Sequence, residues 1–179
     1  MAEVRVQEAA FDFGHEAQAF AERQSGMGAV VTFSGIVRDT DDGLSVMEIE
    51  HYPGMTGAQL TKFTQEAVAR FSLGDALVIH RFGRMHPDEM IMMVATSARH
   101  RSDAFAGAEF LMDFLKSRAP FWKREVSAGG TSDWVASKQN DEDALARWDK
   151  PLSEYQNSKR APIETKGMAR MLFRSSFTR

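Results

Sequence analysis

Two stretches of this chain carry apolar residues on one helical face only, and short β-branched apolar runs flank each of them. The first stretch holds Leu60, Phe63, Ala67, Val68 and Phe71; the second holds Phe105, Ala108, Leu111, Met112 and Leu115. A helix with a single apolar stripe has to bury it, and the neighbouring runs supply a sheet to bury it against. Those runs are residues 4–6, 29–37, 46–52, 76–82, 90–96 and 121–126. Shorter helices are expected at 13–23 and 141–148. Thr56 and Gln59 fit a capping box opening the first long helix, and Pro120 closes the second, expected over 102–118. The run 29–37 reads as a buried strand, and with 46–52 as one arm of a hairpin turning at Gly43. Strands in adjacent pairs between helices predict an α+β fold, with a mixed or antiparallel sheet covered by helices.

The chain has 179 residues, enough for one domain and an appendage. Residues 151–179 hold six basic and two acidic residues, while the preceding 150 hold 16 and 23. We therefore expect an acidic domain over 1–150 and a basic C-terminal extension over 151–179. An acidic domain argues against nucleic acid as partner. No apolar run approaches the ~18 residues of a membrane span, and the N-terminus lacks a secretory apolar region. Membrane attachment is not expected, and the expected compartment is the cytoplasm.

There is no cysteine. Disulfides, thiolate nucleophiles, persulfide carriers and Cys-ligated zinc are excluded. His51, His80 and His86 lack metal-ligand spacing, and Met85, Met90, Met92 and Met93 read as core filler, so no metal site is expected. Phosphate-loop, dinucleotide and Gly-x-Ser-x-Gly signatures are also missing, so no cofactor is called for.

Inside the acidic domain, cations gather at the ends of predicted elements. Arg38 follows the 29–37 run. His100 and Arg101 lie between a strand and a long helix. Lys116 falls in the last turn of that helix, and Lys123 on the strand beyond Pro120. On one unbroken helix, seven residues would set the two lysines along one face; Pro120 instead turns the chain between them. Two ammonium groups then converge on one pocket from a helix end and a strand. The bland alternatives are a lysine complementing the helix dipole and a lysine on a solvated strand face.

Five strings, in order, are similar to the catalytic (large) subunit family of molybdopterin synthase, the MoaE-like family. They are residues 28–38 (GAVVTFSGIVR), 50–55 (EHYPGM), 80–83 (HRFG), 100–105 (HRSDAF) and 112–125 (MDFLKSRAPFWKRE). The last, with its Lys-x-x-x-Pro-x-Trp-Lys-x-Glu core, is the most specific. The resemblance implies a hammerhead-type α/β fold with a small extra β subdomain. It implies an enzyme, a sulfurtransferase that converts cyclic pyranopterin monophosphate to molybdopterin. Its sulfur would come from a small ubiquitin-like subunit ending in a Gly-Gly thiocarboxylate, which accounts for a sulfurtransferase without cysteine. It implies a homodimer of this chain within a heterotetramer. By the same resemblance Lys116 and Lys123 are catalytic, and Arg38, His100 and Arg101 bind the pterin and its phosphate. Lys138 is assigned to the same substrate-binding set, although after Trp134 and Val135 the family often has an acidic residue and then a basic one, where this chain has Ala136 and Lys138. The alternative is a catalytically inactive scaffold for the small subunit.

Overall fold

The computed structural model describes residues 1–40, 43–127, 129–134 and 146–149. They belong to a unit running from Met1 to Asp149. Lys138, most of the helix expected at 141–148, and the extension 151–179 lie outside the described residues.

The elements follow as β1 (Ala2–Gln7), α1 (Phe13–Glu22), β2 (Ala29–Ile36), β3 (Leu44–His51), α2 (Met55–Arg70), β4 (Asp75–Arg81), β5 (Gly83–Met85), β6 (Met90–Ala98), α3 (Arg101–Ser117), β7 (Phe121–Ser127) and β8 (Gly130–Thr131). A 3-10 turn, Arg147–Asp149, closes the described chain. The fold is α+β, as expected. One sheet runs β1-β4-β6-β2 and a second, smaller one β5-β3-β7-β8. Every pair is antiparallel except β1 with β4, which is parallel.

The first sheet lies between helical layers. Leu77 and Ile79 of β4, with Met93 and Ala95 of β6, pack against Phe20 and Ala17 of α1. The alternate residues face α2 and α3, where the buried Thr96 hydroxyl donates to the Ala104 carbonyl at 2.8 Å. Both faces being covered, β4 is buried along its whole length, with the continuous apolar run Ala76–Ile79 at its centre. The second sheet has its own small core of Val37, Leu44, Met47, Ile49 and Met85.

Three expectations need correcting. β2 and β3 are not a hairpin: β2 pairs with β6, and β3 with β5 and β7, so the two runs join different sheets. β2 is not a buried strand either. It forms an edge of the first sheet, and Val30, Phe33 and Ile36 stand 38, 40 and 52% exposed. Its β-branched composition suits a strand without revealing which side lacks a neighbour. The capping box at Thr56 is also absent. α2 is capped by Gly54 at φ 83°, and the Thr56 hydroxyl donates to the Tyr52 carbonyl.

The described chain ends in a clamp on α3. Arg147 pairs with Asp113 and Glu109, and the Trp148 indole N–H donates to Asp113 at 2.6 Å. The Trp148 ring meets Phe71 and Phe110 edge-on at 5.6 and 5.4 Å. Trp148 is buried, so Trp148→Ala is expected to lower unfolding free energy by about 3–5 kcal/mol in urea titration.

Candidate functional site

α3 ends at Ser117, and the chain reverses through Arg118, Ala119 and Pro120 into β7. The Phe121 N–H donates back to the Ala119 carbonyl at 2.8 Å, which makes the reversal tight. Lys116 lies exposed in the last turn of α3, where a cation also complements the helix dipole.

Register fixes the direction of the β7 side chains. Phe121 pairs with His51 and Lys123 with Ile49, whereas Trp122 pairs with Glu50 and Arg124 with Glu48. Directly opposed residues share a face, and successive residues alternate. Phe121, Lys123 and Glu125 therefore lie on the same face as His51 and Ile49. Arg124 lies on the other, where its guanidinium donates to Glu48 at 2.7 Å and stacks over Trp134 at 4.5 Å. Lys123 is part-exposed and forms an ion pair with Glu125 at 3.9 Å.

Phe121, which lies between the two lysines in the chain, belongs to an aromatic group that includes His80, a residue to which the sequence assigns no role. The imidazole of His80 stacks on Phe121 with centroids 3.9 Å apart and planes 16° apart. His51 flanks the same group, 4.4 Å from Phe82 and 6.3 Å from Phe121. Its Nδ1 is buried with no hydrogen-bond partner among the described residues. Nδ1 of His80 lies 2.8 Å from the Arg81 carbonyl oxygen. A carbonyl only accepts, so Nδ1 carries the proton and Nε2 is left as an acceptor.

Burial lowers the His80 pKa to about 4, with the charge of Lys116 and then His51 acting in the same direction. Lys116 is therefore near enough to act on the ring that stacks on Phe121, which is two residues from Lys123 on one face. The Pro120 turn thus leaves Lys116 on one side of the Phe121–His80 stack along the chain and Lys123 on the other. The low pKa also has a stability consequence. From pH 6.5 down to about 4, the unfolded chain takes up a proton that the folded His80 refuses. Stability is thus full above pH 6.5 and declines as pH falls, by roughly 3 kcal/mol in total from this group. Urea unfolding at pH 7 and pH 4.5 should show a smaller drop for His80→Phe than for the wild type.

The remaining cations divide between two ends of the first sheet. β2 and β6 are antiparallel, with Ile36 opposite Met90 and Ala29 opposite Ala98. Arg38 follows Ile36, while His100 and Arg101 follow Ala98, so roughly 25 Å of strand separates them. His80 pairs with Met92, which puts Lys116 at the Arg38 end. Arg101 opens α3 and Lys116 closes it, about 22 Å apart at helical rise. One chain thus groups Arg38, Lys116 and Lys123 at one end and sets His100 and Arg101 at the other.

That other end has the character of an anion site. His100 is the N-cap of α3, its side chain makes no capping bond, and His100 and Arg101 are exposed. A helix N-terminus with arginine beside it favours a phosphate. Gly28 fixes the preceding turn: its N–H donates to Ala98, and a Cβ there would come 2.6 Å from the Arg99 carbonyl oxygen. Among the described residues no group of three or more His, Asp or Glu could hold a metal, and no helix is long and apolar enough to cross a membrane.

Known proteins resemble this chain over most of its length. The model of the family described as MoaE protein matches residues 6–118. A molybdopterin synthase catalytic subunit from Cereibacter sphaeroides is 62% identical over 145 residues, covering 81% of this chain and 99% of the relative. The solved structure of a molybdopterin biosynthesis MoaE protein from Burkholderia ambifaria is 46% identical with a TM-score of 0.72, covering 84% of this chain and 99% of that one. The same fold, at 19% identity and a TM-score of 0.64, occurs in a complex of subunits 1 and 2 of molybdopterin-converting factor from Helicobacter pylori, covering 76% of this chain and 90% of that one.

Proposed function

The chain belongs to the MoaE protein family, and from that premise we propose that it is the catalytic subunit of a molybdopterin synthase, acting as a sulfurtransferase. The substrate is cyclic pyranopterin monophosphate, and the donor is a small ubiquitin-like subunit with a C-terminal Gly-Gly thiocarboxylate. The observation that carries the reading is the pair Lys116 and Lys123 flanking in sequence the Phe121 that stacks on His80, in a protein with no cysteine of its own. Both reactants are anions, and fixed cations in an otherwise acidic domain suit them. A partner is also in keeping with the Helicobacter pylori fold relative, which was solved as a complex of two subunits.

Lys116 polarises the thiocarbonyl and steadies the tetrahedral acyl species formed as sulfur leaves the donor. Lys123 moves protons on the pterin side chain as each sulfur replaces an oxygen, and the donor ends as a plain carboxylate. Two sulfurs require two rounds of donor docking. Arg38, His100 and Arg101 bind the pterin and its phosphate, with Lys138 in the same set.

One chain keeps Arg38 far from His100 and Arg101, so a common site needs a second copy to bring in the opposite end. The exposed apolar edge of β2, with Phe105 of α3 at 58% exposure, suits such a homodimer. Two donors then make a heterotetramer.

Incubating the chain with thiocarboxylated donor and the pterin precursor tests the function. Molybdopterin should form as donor thiocarboxylate becomes carboxylate. Precursor and thiocarboxylate left unchanged would contradict the reading.

A further inference from the structure

His80 is the only polar side chain facing α2 and α3 among the last three such positions of β4, after Ala76 and Val78, and it lies within electrostatic reach of Lys116 and against Phe121, two residues before Lys123. Its ring is fixed from two sides. The Arg81 carbonyl holds Nδ1 at 2.8 Å, and Phe121 covers its face at 3.9 Å. Phe121 is the first residue of β7, immediately beyond the reversal that joins α3 to β7. The stack therefore grips the chain between the two lysines, four residues past the end of α3 on one side and two residues before Lys123 on the other.

We infer that His80 is a positioning residue for the lysine pair: its ring is the platform that fixes Phe121, and through Phe121 the spacing of Lys116 and Lys123. This rests on the two-lysine reading of the site. The titratable groups facing the ring are Lys116 from α3 and His51 from β3; β7 presents Phe121, and Met92 of β6 is its strand neighbour. A charged imidazole would repel Lys116. Burial keeps this one neutral at working pH, so the platform adds no competing cation. The aromatic face carries the role, and the proton does not.

The test uses the full chain with thiocarboxylated donor and pterin precursor, at a temperature where each variant is folded. His80→Ala should lower kcat by roughly 10- to 100-fold, the scale of a misplacement near 1 Å, while KM for both reactants moves less than about threefold. His80→Phe keeps the ring and should recover most of the rate. Its rate profile from pH 6 to 9 should superimpose on the wild type. A His80→Ala rate equal to wild type overturns the inference. So does His80→Phe as slow as His80→Ala, or a wild-type pH limb that His80→Phe loses. Where His80→Ala does not fold, Phe121→Leu removes the stack from its other side. The same fall in kcat is expected there, and an unchanged rate overturns the inference equally. A wild-type complex that transfers no sulfur rejects the two-lysine reading itself. That outcome differs from failure of the inference alone, in which the wild type still transfers sulfur.

Discussion

Replacing Lys116 by alanine is expected to lower sulfur transfer on the order of 10³-fold while leaving the affinity for the small donor subunit within a fewfold of wild type. The magnitude follows from the role. Removing one preorganised group that stabilises developing charge on a tetrahedral species costs about 10²- to 10³-fold in kcat. Lys116 lies in an exposed last turn of α3, so its loss opens no cavity and leaves the core intact. A sulfur-transfer assay beside calorimetric titration with the donor separates the two effects. Unchanged turnover removes the catalytic assignment. Loss of binding equal to the loss of rate would make Lys116 a docking residue.

The second large effect concerns two chains mixed together. Arg101 and Lys116 are about 22 Å apart on one helix, so a site using both draws them from different copies. Arg101→Ala and Lys116→Ala proteins should each be nearly inactive. Co-expressed, they should form mixed dimers in which one site collects both lesions and the other collects none. Activity should return to roughly a quarter of wild type, the share of intact sites under random pairing in a two-fold dimer. If each site were built from one chain, every site in the mixed dimer would carry a lesion and activity would stay low. Purifying the mixed dimers by two different affinity tags decides between these results, since one of their two sites is then intact and activity should rise to about half of wild type.

The sequence made some of this legible and hid the rest for physical reasons. The stripe of Phe105, Ala108, Leu111, Met112 and Leu115 located α3 to within a residue, because helical periodicity is a local signal. Pro120 located the reversal between the lysines, since proline restricts the residue before it. Of the four methionines read as core filler, Met85, Met92 and Met93 are buried and Met90 is half-buried. Strand pairing is a long-range property, and there local reasoning failed. The runs forming β2 and β3 are sequence neighbours with a turn between them, yet their partners are β6 on one side and β5 and β7 on the other.

The same limit hid the division of the cations. Only the register of β2 on β6 reveals that Arg38 and Arg101 lie at opposite ends. His80 stands out in the sequence only as a possible metal ligand, and its spacing argues against that role. Its signal was present all the same, as a titratable group in a strand whose every residue is buried.

The central claim is that cations from separate stretches, and from two copies of the chain, meet around one phosphorylated pterin. A crystal structure of the assembled complex with that pterin bound tests this most directly. The account predicts Lys116 and Lys123 of one copy beside the pterin side chain, with His100 and Arg101 of the other copy at hydrogen-bond distance, about 3 Å, from its phosphate. A pterin bound away from both lysines, or the two ammonium groups on opposite sides of the protein, would contradict it.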